Sequence, residues 1–288
     1  MANIVTSIDD YRFWRDEKLA NVQTDIENCL IEVNKPTQLS KAEKNQITHL
    51  CRVNNFALFH IPSQQDYESS IVGFNQQFNL KAFDQHLYVK GQGLAHITQS
   101  DQQDQAEFIP YTDRAIGWHT DGYYNTPEDR IRAFSLFCVN PAQQGGENQW
   151  IDPQMAYLLL REENSDIATA LTHAQAMSIP AHKVDGQIRR KTSVGPIFFM
   201  DEMTNQLYMR YTQRKKNIDF YDSDEIKQAV EILDLLLAGN TQYHFTHTMS
   251  ANQGLLCNNI LHKRSTYIDQ QDTPRLMLRG RYFNRVQS

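Results

Sequence analysis

Eight short runs rich in aromatic and apolar residues recur along the chain: "FALFHI", "IRAFSLFCV", "NQWI", "GPIFFM", "NQLYMRY", "YHFTHTM", "GLLCNNIL" and "RLMLRGRYF". Most are bounded by Gly, Pro, Asn or Asp, which end strands by turning the backbone. This rhythm predicts a mainly β fold with peripheral helices (α+β), a sandwich or barrel at its centre. A doubly wound parallel sheet would need strands alternating regularly with helices, and that pattern is missing, as are GxGxxG and GxxxxGK[ST]. Two helices are expected. In "SKAEKNQITHLCRVN", Ser40 and Glu43 have capping-box spacing and Ile47, Leu50 and Cys51 share a face. In "SDEIKQAVEILDLLLAG", Ser223 is the N-cap, Ile226, Val230, Leu233 and Leu237 form the stripe, and Gly239 is the stop.

With 288 residues, 40% of them hydrophobic, the chain can bury a large core. It has no internal repeat and no Pro/Gly/Ser-rich linker, so it is read as one domain, 1–288. Residues 1–110 form an N-terminal helix-and-strand edge, and 111–288 the motif-bearing core. The polar stretch "KGQGLAHITQSDQQDQAEF" is read as a lid. A formal net charge of -6 gives no general attraction to nucleic acid or anionic lipid. The N-terminus lacks a basic start followed by an apolar stretch, and no window approaches the roughly 18 apolar residues of a membrane span. The expectation is a cytoplasmic chain whose partner is a small molecule, with homo-oligomerisation left open. Cys29, Cys51, Cys138 and Cys257 are scattered without a CxxC pair and read as buried thiols.

The chemistry concentrates at "GWHTDGYYN", residues 117–125. On an extended segment, residues i and i+2 project to the same side, so the imidazole of His119 and the carboxylate of Asp121 can meet one ion. HxD alone is a weak signal and needs a distant partner. His262, after the apolar run "LLCNNIL", supplies one. Two histidines and a carboxylate on one face of a metal leave open positions, an arrangement that suits non-haem Fe(II) and O2. A closed structural zinc site would want four ligands, usually with cysteine. Thirteen residues after His262 comes Arg275, whose planar fork can grip the far carboxylate of a dicarboxylate chelating the iron.

The ordered set HxD, "GGEN" at 145–148, the late His and "RLMLR" resembles the taurine dioxygenase (TauD/TfdA) superfamily of Fe(II)- and 2-oxoglutarate-dependent oxygenases. The likeness runs from about Ile116 to Phe283. It implies a double-stranded β-helix (jelly-roll, cupin-like) core, with His119, Asp121 and His262 as iron ligands and catalytic centre. It also implies that Arg275 binds 2-oxoglutarate and that O2 is consumed. Asn148 stands where taurine dioxygenase carries a threonine that touches the cosubstrate, a departure that an amide donor can fill. Arg279 falls where taurine dioxygenase binds the substrate's sulfonate. The segment "LYMRYTQRKKNIDF" resembles a pocket-lining stretch of the carnitine-pathway hydroxylases, which makes Arg210, Tyr211 and Arg214 candidates to meet an anionic substrate.

The resemblance therefore implies hydroxylation of a small, anionic organic substrate, with 2-oxoglutarate converted to succinate and CO2. Three alternatives stay open at this level. One is a hydroxylase of an amino acid or quaternary amine, whose pocket would rely on carboxylates rather than Arg279. Another is a metal-dependent hydrolase with Zn2+ on the same ligands. The third is a non-catalytic metal-binding barrel acting as a sensor. His244 and His247, three residues apart on a strand, point to opposite faces and are not expected to share a metal. Trp118 and Tyr123 are read as an apolar wall beside the metal motif or as core.

Overall fold

A computed structural model describes residues 7–85, 89–90, 93–100, 108–184, 187–214, 216–270 and 272–287. Of the stretch read as a lid, 91–92 and 101–107 lie outside the described residues. By internal contacts the chain divides into two interleaved compact units. One comprises 1–22, 117–128 and 151–244; the other comprises 23–116, 129–150 and 245–288.

The second unit is built on a seven-stranded sheet. Its order is Leu30–Glu32, Phe56–His60, Gln253–Cys257, Ala133–Asn140, Leu276–Tyr282, Leu94–Ile97 and Val89–Lys90. A four-stranded sheet has the order Phe245–His247, Asn148–Ile151, Leu261–Arg264 and Ile116–His119. The two sheets meet through aromatic rings: Phe56 lies edge-on to Trp150 at 5.3 Å and to Phe245 at 4.8 Å. Within the larger sheet, Phe59 stacks on Phe74 at 4.2 Å. Gly254 pairs with Phe59 in register, and a Cβ there would fall 2.3 Å from the Phe59 ring. The ring occupies the space a side chain would need, so glycine is dictated by packing. All eight runs expected from sequence contain or overlap strands.

Helix Lys41–Val53 begins with the expected capping box. Glu43 accepts from the Ser40 backbone N–H at 2.6 Å, and Ser40 Oγ accepts from Glu43 N at 3.2 Å. Ile47, Leu50 and Cys51 are buried beneath it. Helix Asp224–Ala238 starts at Ser223, whose hydroxyl accepts from Ile226 N at 3.2 Å, and stops at Gly239.

Four helices were not expected: Ile8–Asn21, Tyr67–Gln76, Pro153–Glu163 and Ser165–Ala170. The first of these, Ile8–Asn21, lacks an apolar stripe and docks through polar contacts and the edge-on packing of Trp14 on Tyr157. The Tyr11 hydroxyl donates to Glu162 at 2.7 Å, the Arg161 guanidinium lies 3.9 Å over the Tyr11 ring, and Lys18 pairs with Asp152 while both are buried. Hydrophobic periodicity cannot register a helix held in this way. The rest of the first unit consists of hairpins and a three-stranded sheet, Ser193–Gly195, Met177–Ile179 and Asp219–Phe220.

Candidate active site

Strand Ile116–His119 runs into a turn in which Gly122 takes φ +66° and its carbonyl accepts from Asn125 N at 2.8 Å. The segment is clamped on one side by residues 211–213. Thr120 N donates to Tyr211 O at 3.0 Å, Tyr211 N donates to Thr120 Oγ1 at 3.2 Å, and Gln213 N donates to Trp118 O at 2.8 Å. Trp118 is core rather than wall. It is 3% exposed, and its indole N–H donates to the Leu237 carbonyl at 3.1 Å, satisfying a carbonyl in the last turn of its helix. The residue between the two motif side chains is thus fixed from both backbone and side chain.

His119, Asp121 and His262 each offer a ligand atom, and these atoms lie within 4.8 Å of one another. It is the only such group of three or more among the described residues. Nδ1 of His119 is 2.9 Å from the Gly117 carbonyl, and Nδ1 of His262 is 2.9 Å from the Ile260 carbonyl. A carbonyl can only accept, so each Nδ1 carries a proton, and in the neutral ring it is then Nε2 that offers the lone pair. Nε2 of His119 faces Asp121 Oδ1 at 3.8 Å. The His262 ring also packs on Phe134 at 4.8 Å, which fixes its plane. Oriented imidazoles with anchored Nδ1–H groups are the outer-shell condition for ligating a metal through Nε2.

Arg275 is 4% exposed, and its Nη1 is buried with no hydrogen-bond partner. Its backbone N–H donates to Asp269 at 2.5 Å, and its guanidinium carbon lies 5.0 Å from the centre of the Tyr267 ring. A small cavity beside it is lined by Gly145, Gly146, Asn148, Cys138, Thr248 and Met249 among others. Gly145 and Gly146 adopt φ +76° and +73°, in the left-handed region. A Cβ on Gly145 would meet the Thr266 carbonyl at 2.4 Å, and one on Gly146 would stand 3.6 Å from Arg275 Nε. The glycines of "GGEN" therefore allow the turn and keep space open next to the guanidinium.

Two further arginines crowd this place. Arg264 is buried, donates to the carbonyls of Thr112 and Arg114 at 2.8 and 2.6 Å, and has its pKa pushed down to about 10 by burial and then by Arg275. Arg279, two positions beyond Met277 on the same strand, adds to that repulsion. Burial also lowers the Arg275 pKa. Arg275, with its buried Nη1 lacking an acceptor, stands among three arginines opposed by the carboxylates of Asp113 and Asp269 and next to open space, which suits a carboxylate ligand. Asn148 is 6% exposed, lines the same cavity as Arg275 and donates its amide hydrogen to Gly146 O at 3.3 Å.

Arg210 and Tyr211 correct the sequence reading. The Arg210 guanidinium donates to the carbonyls of Met177 at 3.0 Å and Ser193 at 2.8 Å, joining the strands Met177–Ile179 and Ser193–Gly195 from a buried position. Tyr211 is 1% exposed and its hydroxyl donates to Asp234 at 2.5 Å. Neither presents itself to a substrate; both brace the segment behind Thr120. Arg214 is exposed, with its guanidinium 5.8 Å from the centre of the Tyr123 ring. His244 and His247 take separate partners, Thr241 and Gln253. The cysteines are buried and free, and burial raises each thiol pKa, to about 12 for Cys29 and Cys51. Sequence reasoning missed Thr120, Arg264 and Tyr267, whose parts depend on contacts distant in sequence.

Residues 16–281 match the family described as taurine catabolism dioxygenase TauD, TfdA. A uridine-5'-phosphate dioxygenase of an Amycolatopsis species is 27% identical over 173 residues, 57% of this chain. The chain covers 60% of that relative's length, less than two thirds. A uridine-5'-phosphate dioxygenase of a Streptomyces species is 27% identical over 202 residues, 65% of this chain and 68% of that one. Among solved structures, PvcB, an Fe, alpha-ketoglutarate dependent oxygenase from an isonitrile synthetic pathway, superposes with a TM-score of 0.59 at 16% identity. That match covers 88% of this chain and 85% of PvcB, and is a likeness of fold.

Proposed function

Because the chain belongs to the taurine catabolism dioxygenase TauD, TfdA family, whose members are Fe(II)- and 2-oxoglutarate-dependent oxygenases, we propose that it hydroxylates a small anionic organic substrate. The observation that carries the proposal is the convergence of His119, Asp121 and His262 within 4.8 Å. Two neutral imidazoles and one carboxylate fit Fe(II) and leave positions for a bidentate cosubstrate and O2. The seven- and four-stranded sheets are read as the double-stranded β-helix (jelly-roll, cupin-like) core.

Bound Fe(II) with 2-oxoglutarate and O2 supplies the oxidising chemistry: 2-oxoglutarate is converted to succinate and CO2 as one oxygen atom enters a substrate C–H bond. The chain's own part is orientation and charge. Gly117 and Ile260 hold the Nδ1 protons of His119 and His262, so that both imidazoles offer Nε2. Arg275 binds the distal carboxylate of 2-oxoglutarate in the cavity that Gly145 and Gly146 keep open. Asn148 donates an amide hydrogen there, and Arg264 and Arg279 raise the local positive potential.

The two curated relatives named for uridine-5'-phosphate direct the substrate reading toward a phosphate ester of a small organic molecule. The test is 2-oxoglutarate-dependent O2 uptake with stoichiometric succinate, measured with and without phosphate esters. Stimulation by an ester supports the reading. A protein that hydrolyses esters with no O2 uptake is instead a metal-dependent hydrolase.

A further inference from the structure

Immediately after Asp121 the turn carries two adjacent tyrosines, Tyr123 and Tyr124, whose rings meet edge-on with centroids 5.0 Å apart. Each ring is faced by an arginine from elsewhere in the same unit. The Arg214 guanidinium lies 5.8 Å from the Tyr123 centroid, and that of Arg190 lies 5.3 Å from the Tyr124 centroid. Both distances are within cation–π range. The two arginines act repulsively on one another, and Arg190 is partly withdrawn from water, so its pKa is lowered chiefly by burial.

Arg190 Nη2 donates to the Pro180 carbonyl at 3.1 Å, whereas Nη1 is buried and has no hydrogen-bond partner. Among the described residues, the groups acting on Arg190 are Tyr123, Tyr124 and Arg214, none of them a carboxylate. A buried guanidinium nitrogen with no acceptor, next to a second cation, costs free energy that an anion would recover. The place is also built. Thr212, which bridges to His119, bonds the Tyr123 phenol, and Ser193 Oγ donates to the Asn125 carbonyl at 3.3 Å. Tyr124 is three residues from Asp121, a reach of at most about 11 Å along the chain.

We infer that Arg190 and Arg214, set over Tyr124 and Tyr123, form the binding site for the phosphate group of the substrate. Two permanent positive charges match a phosphate monoester dianion better than a singly charged sulfonate or carboxylate, and guanidinium forks bind phosphate oxygens in pairs. The assignment rests on the oxygenase reading for its place in the reaction, since it puts the anionic end of the substrate within a few residues of a metal ligand. It also gives specificity to residues outside the "RLMLR" motif.

The test is equilibrium dialysis of the full chain against uridine 5'-monophosphate, uridine and taurine, with and without Fe(II) and 2-oxoglutarate under anaerobic conditions. The wild type, Arg190→Gln and Arg214→Gln are compared. Arg214 is exposed, so its variant keeps the question answerable if Arg190→Gln fails to fold. The expected result is that the wild type binds the monophosphate at least tenfold more tightly than uridine or taurine. Each variant loses about tenfold for the monophosphate and nothing for uridine. Equal wild-type affinity for monophosphate and uridine would overturn the inference, as would taurine binding as tightly as the monophosphate. So would parallel loss of monophosphate and uridine binding in the variants, or no saturable monophosphate binding at millimolar concentration. Binding without the cofactors reads the phosphate site independently of iron, so failure of the oxygenase reading and failure of this one are separable.

Discussion

The hydroxyl of Tyr211 donates to Asp234 Oδ1 at 2.5 Å and ties the segment bonded to Thr120 onto the helix Asp224–Ala238. Thr120 lies between His119 and Asp121, so this bond helps set the geometry of the HxD pair from behind. Tyr211→Phe removes the donor and leaves Asp234 with Gln213, 3.0 Å away. The loss is expected to cost about 1.5–3 kcal/mol, the range for hydrogen bonds to charged groups. Urea unfolding should shift to a lower midpoint, and Fe(II) affinity should fall while the KM for 2-oxoglutarate changes little. An unchanged Fe(II) affinity would show that the brace does not reach the metal site.

Gly145 and Gly146 share a left-handed backbone but not a neighbourhood. An added Cβ meets the Thr266 carbonyl at 2.4 Å in the first case and nothing nearer than 3.5 Å in the second. Gly146→Ala should therefore cost about 1 kcal/mol, from backbone strain alone. Gly145→Ala must also move the strand that pairs with it at Tyr267, the ring under Arg275. Its cost should reach about 1–3 kcal/mol, with a raised KM for 2-oxoglutarate. Equal stability of the two variants by thermal unfolding would contradict this account of the loop.

Alkaline pH should weaken the fold through its thiols. Burial raises Cys29 and Cys51 from 9.0 to about 12 and Cys138 to about 11. Below pH 9 both folded and unfolded states hold these protons, so the contribution is fully present there. As pH rises from 9 toward 11–12, the unfolded chain releases protons that the folded chain keeps, and stability falls. The slope is about 1.4 kcal/mol per pH unit for each thiol in that window. Urea midpoints measured from pH 8 to 10.5 should decline, and replacing Cys51 by Val should flatten part of the decline. A flat profile in the wild type would mean that the thiols titrate normally.

How much of this was legible in the sequence follows from the range of the interactions. The capping box at Ser40 and Glu43 and the stripe of the Ser223-capped helix are written within a few residues, and both stand as expected. The same holds for the strands, whose apolar runs and turn residues are local. The helix Ile8–Asn21 was invisible because Tyr11, Lys18 and their partners Glu162 and Asp152 are more than 130 residues apart. At the site, the residue types of His119, Asp121, His262 and Arg275 were enough to propose a metal and a dicarboxylate, since that chemistry restricts its donors. Arg210 and Tyr211 misled because a basic-aromatic stretch looks alike whether it faces a ligand or clasps carbonyls. Only the contacts of Arg210 with Met177 and Ser193 decide between the two.

The central claim is that His119, Asp121, His262 and Arg275 together hold Fe(II) and 2-oxoglutarate. Its most direct test is the visible metal-to-ligand charge-transfer band of the anaerobic ternary complex, titrated with 2-oxoglutarate in the wild type, His262→Ala and Arg275→Ala. The account predicts a saturable band in the wild type and none in folded His262→Ala. In Arg275→Ala the same band should appear only at a cosubstrate concentration at least about tenfold higher, the loss of roughly 1.4 kcal/mol or more from a charge-assisted pair. Iron-loaded, folded wild-type protein that shows no band with 2-oxoglutarate would contradict it.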